Sequence, residues 1–159
     1  DISVFRDTLI FEENFDNFLS TQVTNATPIG AAGSLVTIPR SLTQFPGCRA
    51  MNLKVADSGW CIIEENSATF ATPKMNIPQG SIVKMKVSPN TKSVRYVLIN
   101  GVTDTIQEGQ DTISTILQSN CDEVIIKKRY NSGTITIDSL RIISPRQEIA
   151  ETDRNRRGG

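Results

Sequence analysis

Apolar side chains recur at every second position in several short runs, and this spacing constrains the fold more than any other feature of the sequence. Period-two alternation is typical of β-strands that bury one face. The runs are Met51, Leu53 and Val55; Val83, Met85 and Val87; Val94, Tyr96 and Leu98; and Ile135 and Ile137. Turn residues such as Pro46-Gly47 and Asn100-Gly101 separate the runs at intervals of about 10 residues, a spacing found in β-sandwiches. The pattern predicts an all-β chain with two packed sheets.

Two segments allow a second interpretation. Residues 111–117 contain apolar positions that could share one helical face, but their β-branched residues favour a strand. We predict a strand there, with one helical turn as the alternative. In residues 133–143 the apolar positions switch from odd to even numbers, which a β-bulge near Asp138 and Ser139 would produce. Burial of both strand faces is the alternative in that segment.

Length and a change of composition near the C-terminus predict the domain boundaries. A chain of 159 residues is expected to form one domain. A domain of this size buries about 70% of the surface that its unfolded chain exposes, and it needs no disulfide or structural metal for stability. The composition turns polar and charged after Pro145. We therefore predict a sandwich domain at residues 1–145 and a charged tail or linker at residues 146–159.

Composition excludes several functional classes. The chain has no histidine, which rules out Ser-His-Asp and Cys-His catalysis and histidine zinc sites. Its 17 basic and 17 acidic residues leave no net charge that would favour nucleic acid or an anionic membrane. Residues 18–39 lie in the longest uncharged stretch, contain proline, glycine and many polar residues, and cannot span a membrane. Cys48, Cys61 and Cys121 lack metal-binding spacing, and we interpret them as buried thiols.

Three carboxylates occur in segments predicted as strands, where a buried charge needs a partner. Glu12 and Glu13 lie in the opening segment, and Asp138 lies in the last strong strand. If the first and last strands are neighbours, these residues and backbone carbonyls could form a calcium shell of about six to eight oxygens. The alternative is that strand alternation turns the carboxylates outward into water. A glycosidase needs two carboxylates about 5 to 10 Å apart, which no spacing here predicts, so we expect no catalytic residues.

Trp60, Tyr96 and Tyr130 are the aromatic residues that could stack on a sugar ring. Trp60 follows turn residues at positions 57–59, and Tyr130 precedes another turn at positions 131–133. Each has a plainer alternative. A lone tryptophan in a β-domain usually belongs to the core, because it buries a large area. The basic residues beside Tyr130 are also compatible with a solvated strand edge that prevents edge-to-edge pairing.

Four segments carry a resemblance to a known family. Residues 11–16 (FEENFD) match an opening strand of the form E-x-F-D, and residues 68–77 match a strand of the form a-x-l-x-T-P-x-l-x-l. Residues 80–87 alternate, and residues 135–142 match a closing strand of the form I-x-I-D-x-l-x-I. In this order the segments resemble the galactose-binding-like jelly-roll modules of secreted bacterial surface proteins and carbohydrate-active enzymes.

The resemblance implies an all-β, two-sheet antiparallel jelly-roll β-sandwich whose loops or concave sheet face hold ligands. It also implies a structural calcium ion bound by Glu13, with Glu12 as the lesser alternative, and by Asp138. It assigns no sugar-contacting residue to this chain.

The expected function is a noncatalytic extracellular binding module for carbohydrate, with Trp60 among the residues of its ligand-binding loops. We expect it to be secreted or at the cell surface after loss of a signal peptide, with a glycan or other cell-surface ligand as partner. Neither nucleic acid binding nor a membrane span is expected, and the charged tail is compatible with a larger multidomain protein. The alternative is a structural, protein-interaction or adhesion module of a bacterial surface protein with no sugar site.

Overall fold

The structure is a computed structural model that describes residues 3–19, 28–31, 33–55, 59–89 and 93–150. The strands are β1 (Ser3–Glu13), β2 (Val36–Thr37), β3 (Arg49–Met51), β4 (Lys54–Val55), β5 (Cys61–Ile63), β6 (Thr69–Ala71), β7 (Ile82–Val87), β8 (Arg95–Ile99), β9 (Val102–Ile106), β10 (Thr112–Ile116), β11 (Ile125–Lys128) and β12 (Ile135–Ala150). The helical elements of the described residues are two short 3-10 helices, Asp16–Leu19 and Arg40–Leu42. None of the described helices has the length and apolar content needed to cross a membrane.

The strands form two antiparallel sheets of six strands each. The first has the order β10-β7-β12-β5-β4, with β1 also paired to β12, and the second has the order β2-β3-β6-β11-β8-β9. Strands β5 to β12 pair as nested couples: β5 with β12, β6 with β11, β7 with β10, and β8 with β9. Successive couples alternate between the sheets, as in a long hairpin that has been rolled up, which is the connectivity of a jelly roll. The prediction of an all-β, two-sheet jelly-roll sandwich is confirmed.

This topology gives the sandwich two ends. At one end β5 and β11 finish while β8 and β12 begin, and we call it the loop end. At the opposite end, Asn100 and Gly101 join β8 to β9 with φ values of 50° and 81°. A two-residue hairpin turn of this kind needs positive φ at both positions, which Asn-Gly tolerates better than other pairs.

The structure meets one condition set in the sequence analysis and confirms two local predictions. β1 lies beside β12, with Glu12 opposite Arg141 and Glu13 opposite Leu140. The pairing of β12 with β7 shifts register between Ile137 and Ser139, where the bulge is predicted. The segment 111–117 contains the strand β10 rather than a helical turn.

The run from Met51 to Val55 is not the single strand that its alternation predicts. Asn52 has a φ of 50°, and this left-handed residue separates β3 from β4. β3 belongs to the second sheet and β4 to the first, so the chain changes sheet here. The buried phase also changes here, because Ala50 is buried in β3 while Met51 is half-buried, and Leu53 is the next buried residue.

In β8 the buried phase is the reverse of the predicted one. Arg95, Val97 and Ile99 face the core, whereas Tyr96 and Leu98 are half-buried on the outer face. Both phases of this strand are largely apolar, so periodicity alone could not select one. The methylene stem of Arg95 adds apolar atoms to the inner face, but its guanidinium is buried as well.

The predicted boundary at residue 145 falls inside β12, which continues to Ala150. Backbone pairs join Gln147 to Arg6 and Ala150 to Ser3 of β1. Ladder hydrogen bonds use backbone groups, so the polar composition after residue 145 does not end the strand. Residues 151–159 lie outside the described residues, and a tail there stays a prediction.

The hydrophobic core fills the space between the two sheets and contains an aromatic group near the end of β1. The ring centroid of Phe11 lies 5.0 Å from that of Phe45 and 6.5 Å from that of Phe70. Phe15 meets Phe70 edge to face at 5.3 Å. Tilted and edge-to-face contacts at these distances are favourable for aromatic pairs, and they fix the segment that follows β1 against the second sheet.

Candidate functional site

Strand alternation separates the two neighbouring glutamates of β1. Glu12 is exposed, and its Oε2 lies 3.3 Å from Nε of Arg141 on β12. Glu13 is 0% exposed and belongs to the inner face. Because successive side chains of a strand point to opposite faces of the sheet, these two carboxylates cannot share one cation.

Backbone donors hold the buried carboxylate of Glu13. The N–H of Phe15 donates to Oε2 at 2.9 Å, and the N–H of Gln44 donates to Oε1 at 2.8 Å. Burial raises the pKa of Glu13 above its ordinary value, hydrogen bonds from the N–H groups of Phe15, Gln44 and Phe45 act in the opposite direction, and Asp16 adds a smaller increase. Phe15 has a φ of 57°, and this turn brings its N–H back toward Glu13. The carboxylate is therefore buried but supplied with donors from the fold itself.

Asp138 does not join Glu13. Its Oδ2 lies 3.9 Å from Nζ of Lys86 on β7, and its side chain is 31% exposed. Within the residues that the structure describes, no group of three or more His, Cys, Asp or Glu side chains could hold a metal ion. Glu12, Glu13 and Asp138 therefore do not fit a calcium shell as a set, and calcium binding stays a prediction.

Cysteine chemistry adds no reactive group to this region. Cys48 and Cys61 are buried free thiols, and Cys121 is a half-buried free thiol. Burial raises the pKa of Cys48 to about 12, with a further contribution from the Glu13 carboxylate, and burial also raises the pKa of Cys61. The thiolate is the nucleophilic form, so these two protonated side chains serve as core residues at neutral pH.

The three candidate aromatic residues do not lie on one surface. Trp60 immediately precedes β5 of the first sheet, is half-buried and lies outside the buried core cluster of the described residues. Tyr96 lies in β8 of the second sheet, and Tyr130 follows β11 of the same sheet. Tyr130 is 75% exposed. The two tyrosines thus share the loop end, whereas Trp60 adjoins β5 of the other sheet.

Tyr96, Arg129 and Tyr130 form a group that we call the loop-end surface. The guanidinium carbon of Arg129 lies 3.6 Å from the centroid of the Tyr96 ring. A cation held over a tyrosine ring is stabilised by the ring quadrupole and covers that face of the ring. The exposed aromatic surface of this group is therefore provided mainly by Tyr130.

Hydrogen bonds fix the turn that carries Tyr130. The N–H of Asn131 donates to Oδ1 of Asn66 at 2.8 Å, and Nδ2 of Asn66 donates to Oδ1 of Asn131 at 3.2 Å. The N–H of Tyr96 donates to Oγ of Ser132 at 2.9 Å. These bonds join the segments after β5 and β11 to the start of β8, so Tyr130 projects from an ordered support.

Two buried cations at the loop end were not expected from the sequence. Arg95 is 2% exposed and Lys128 is 5% exposed. Nζ of Lys128 donates to Oδ1 of Asn66 at 2.9 Å and to the carbonyl oxygen of Ser132 at 2.6 Å. The interpretation of Lys128 as part of a solvated basic edge is therefore wrong. Val97 and Ile99 share a face of β8 with Arg95, and their apolar side chains are a sequence signal for its burial. Tyr96 and Leu98 on the opposite face are also largely apolar, so the signal did not select one face.

Comparisons with known proteins leave the family open. No protein-family model and no curated protein matches the chain. Among solved structures, a family two carbohydrate esterase from Cellvibrio japonicus is 19% identical, with a TM-score of 0.42 over 71% of this chain and 34% of its own. The cupin domain of Schizosaccharomyces pombe Cnp3 is 13% identical, with a TM-score of 0.23 over 79% of this chain and 76% of its own. The chain spans about a third of the esterase, and likenesses at these TM-scores assign neither family nor function.

Proposed function

We propose that this domain is a noncatalytic extracellular carbohydrate-binding module and that the loop-end surface holds the sugar. The observation that carries the proposal is Tyr130, which is 75% exposed and projects from a hydrogen-bonded turn. Because the backbone of this turn is already ordered, a bound ligand has to restrain only the side chain of Tyr130. Sugar rings have an apolar face of C–H groups that packs well against such a ring.

Polar groups beside Tyr130 suit the hydroxyls of a sugar. The guanidinium of Arg129 packs over the ring of Tyr96 at 3.6 Å. Guanidinium N–H donors lie in the plane of the group, so stacking does not consume them. An aromatic ring with a few convergent donors is a common composition for a small-molecule site.

Glycan-array binding in the presence of calcium tests this proposal with four proteins: wild type, Tyr130→Ala, Tyr130→Phe and Trp60→Ala. We expect Tyr130→Ala to weaken binding about tenfold, since a lost aromatic contact of about 1.4 kcal/mol corresponds to that factor. Tyr130→Phe keeps the ring and is the matched control, which we expect to bind like wild type. Trp60→Ala should also bind like wild type, because Trp60 adjoins β5 of the other sheet.

Two results would contradict parts of the proposal. Loss of binding in Trp60→Ala alone would move the sugar site to the first sheet and away from Tyr130. Absence of glycan binding by a well-folded wild type would reject the carbohydrate function and favour the structural, protein-interaction or adhesion module.

The structural calcium ion is tested separately, because the resemblance supports it and the side-chain geometry does not. Calorimetric titration of chelator-treated protein with calcium measures it directly. The calcium hypothesis predicts binding heat and a higher melting temperature, both reduced in Glu13→Gln. A titration with neither effect would remove calcium from the proposal and leave the sugar site untouched.

A further inference from the structure

Arg95 is a buried cation whose donors are left open. The residue is 2% exposed at the start of β8, on the face that points into the sandwich. Its Nε and Nη2 atoms are buried and donate to no hydrogen-bond partner in the described part of the chain. Burial without compensation lowers the pKa of the guanidinium. Buried donors are almost always paired, so these two atoms require an explanation.

The two open atoms belong to the same edge of the guanidinium. Nε and Nη2 direct two parallel N–H bonds away from this planar group, and two oxygens of one carboxylate, sulfate or phosphate can accept both bonds at once. A water molecule or a hydroxyl group offers a single oxygen and no negative charge, so it does not provide two separate acceptors for these two bonds. The open edge therefore has the geometry of an oxyanion receptor.

Lys128 adds a second cation on the same inner face. It pairs in register with Val97, two residues along β8 from Arg95. Diagonal neighbours of this kind have Cβ atoms about 7–8 Å apart, within reach of one another through long side chains. The acceptors of Nζ, the Asn66 amide oxygen and the Ser132 carbonyl, are both neutral. One of the three N–H donors of the ammonium group has no acceptor among the described residues.

Two acidic residues at the loop end are paired with Lys54. Glu64 and Glu65 follow β5 at the loop end, and their carboxylates lie 2.6 Å and 3.5 Å from Nζ of Lys54. Within the described residues, no ion pair involves Arg95 or Lys128. Two inward cations on adjacent strands thus lack an internal counterion in the described part of the fold.

We propose that Arg95 and Lys128 form an enclosed binding site for a ligand that presents two oxygens of a carboxylate, sulfate or phosphate group. The ligand enters between the loops at the loop end, and its oxygens accept from Nε and Nη2 of Arg95 while Lys128 neutralises the remaining charge. This site is distinct from the loop-end surface, because Arg95 points inward and Tyr96 points outward from the same strand. It does not depend on the proposed carbohydrate function.

Thermal unfolding at constant ionic strength tests the site. Wild type, Arg95→Met, Lys128→Met and Lys127→Met are melted in chloride with increasing sulfate, phosphate or glucuronate, and with glucose as a neutral probe. Lys127→Met is the matched control, since this substitution removes one charge from the outer face of the same strand. Sulfate and phosphate stabilise most proteins by exclusion, an effect that all four proteins should share and that does not saturate.

We expect a saturable rise in melting temperature for wild type and Lys127→Met with at least one oxyanion, and none with glucose. Arg95→Met should lose the saturable rise. For Lys128→Met the half-maximal rise should require at least a tenfold higher oxyanion concentration. A response to glucuronate alone assigns a carboxylate ligand, and a response to sulfate or phosphate assigns a tetrahedral one. Identical responses in wild type and Arg95→Met would overturn the proposal.

A second measurement needs no variant and covers the case in which Arg95→Met fails to fold. The arginine Nε–H resonances of wild type are followed by NMR during the same titrations. We expect one slowly exchanging Nε–H resonance to shift during the titration, with a half-maximal shift at the same oxyanion concentration as the half-maximal rise in melting temperature. An Nε–H spectrum unchanged up to the highest oxyanion concentration would reject the site.

Discussion

Glu13 and Arg95 are both buried charged residues, and the fold treats them differently. The carboxylate of Glu13 accepts backbone hydrogen bonds at 2.9 Å and 2.8 Å, from a turn that follows its own strand and from Gln44. The guanidinium of Arg95 keeps two buried nitrogen atoms without a partner in the described residues. Burial disfavours the charged form of both groups, so it raises the pKa of Glu13 and lowers the pKa of Arg95.

The difference shows how a small sandwich can hold a buried carboxylate more easily than a buried guanidinium. Any turn supplies backbone N–H donors, so a carboxylate can be satisfied by local chain geometry, as Phe15 does with its φ of 57°. A guanidinium needs several acceptors in one plane, which are harder to gather at a loop end. We therefore assign Glu13 to the structure of the domain and Arg95 to an external ligand.

The largest effect should come from Glu13→Ala. Removing the carboxylate leaves backbone N–H groups without an acceptor, and each orphaned donor costs about 1–3 kcal/mol, so we expect about 3 kcal/mol less stability. Urea unfolding measures the change. Glu12→Ala, whose exposed carboxylate pairs with Arg141, is the control and should cost less than about 1 kcal/mol. Equal losses for the two variants would contradict a structural role for Glu13.

Asn66→Ala tests whether the loop end depends on neutral acceptors. Oδ1 of Asn66 accepts from Nζ of Lys128 and from the N–H of Asn131. Losing both bonds should destabilise the domain by about 2 kcal/mol, since a hydrogen bond to a charged group is worth about 1.5–3 kcal/mol. Asn120→Ala removes one exposed bond to the N–H of Gln79 and serves as the control. A smaller loss for Asn66→Ala than for Asn120→Ala would show that Lys128 does not need its neutral partners.

Arg95→Met should change the free energy of unfolding in the opposite direction. Replacing an uncompensated buried charge by an apolar side chain of similar length is neutral or stabilising, and we expect a gain of about 1 kcal/mol in chloride buffer. The free energy of unfolding, measured by the same urea titration, checks this. A loss of more than about 2 kcal/mol would indicate an internal counterion for Arg95, because breaking a buried pair is strongly destabilising.

The smallest effect is a difference in pH dependence between wild type and Glu13→Gln. The folded-state pKa of Glu13 lies above its ordinary value of 4.5, so between these two pKa values the folded state binds more protons than the unfolded state. Stability of wild type relative to Glu13→Gln should therefore fall as pH rises from 4.5 through the folded pKa, by less than about 1.4 kcal/mol per pH unit. Urea midpoints across this pH range measure the difference. A relative stability that rises with pH would mean that the backbone donors outweigh burial.

Much of the fold could be predicted from sequence, because the apolar period and the turn residues express the physics of the sandwich directly. Val83, Met85 and Val87 alternate and are buried in β7, and Asn100-Gly101 forms a tight turn. The break at Asn52 was missed because alternation continues across it. A single left-handed residue changes the sheet and the buried phase, while the apolar residues of the sequence keep their spacing.

The candidate sites were harder to predict, because they depend on which face a residue takes and on distant partners. Sequence reasoning left open whether Glu13 is buried or faces water. Phe15, two residues away, supplies one of its donors, and the others come from Gln44 and Phe45, about 30 residues away in a segment with no recognisable motif. Arg95 was missed because both phases of β8 are apolar. Tyr130 lies beside the predicted turn and is 75% exposed, and its role as a sugar platform stays a prediction.

The most direct test of this account is the free energy of unfolding of Arg95→Met relative to wild type as a function of oxyanion concentration. The account predicts that the variant is at least as stable as wild type in chloride and becomes the less stable protein when the oxyanion saturates wild type, since a ligand stabilises the state that binds it. A variant that is less stable by the same amount at every oxyanion concentration would contradict it, and would place the partner of Arg95 within the protein itself.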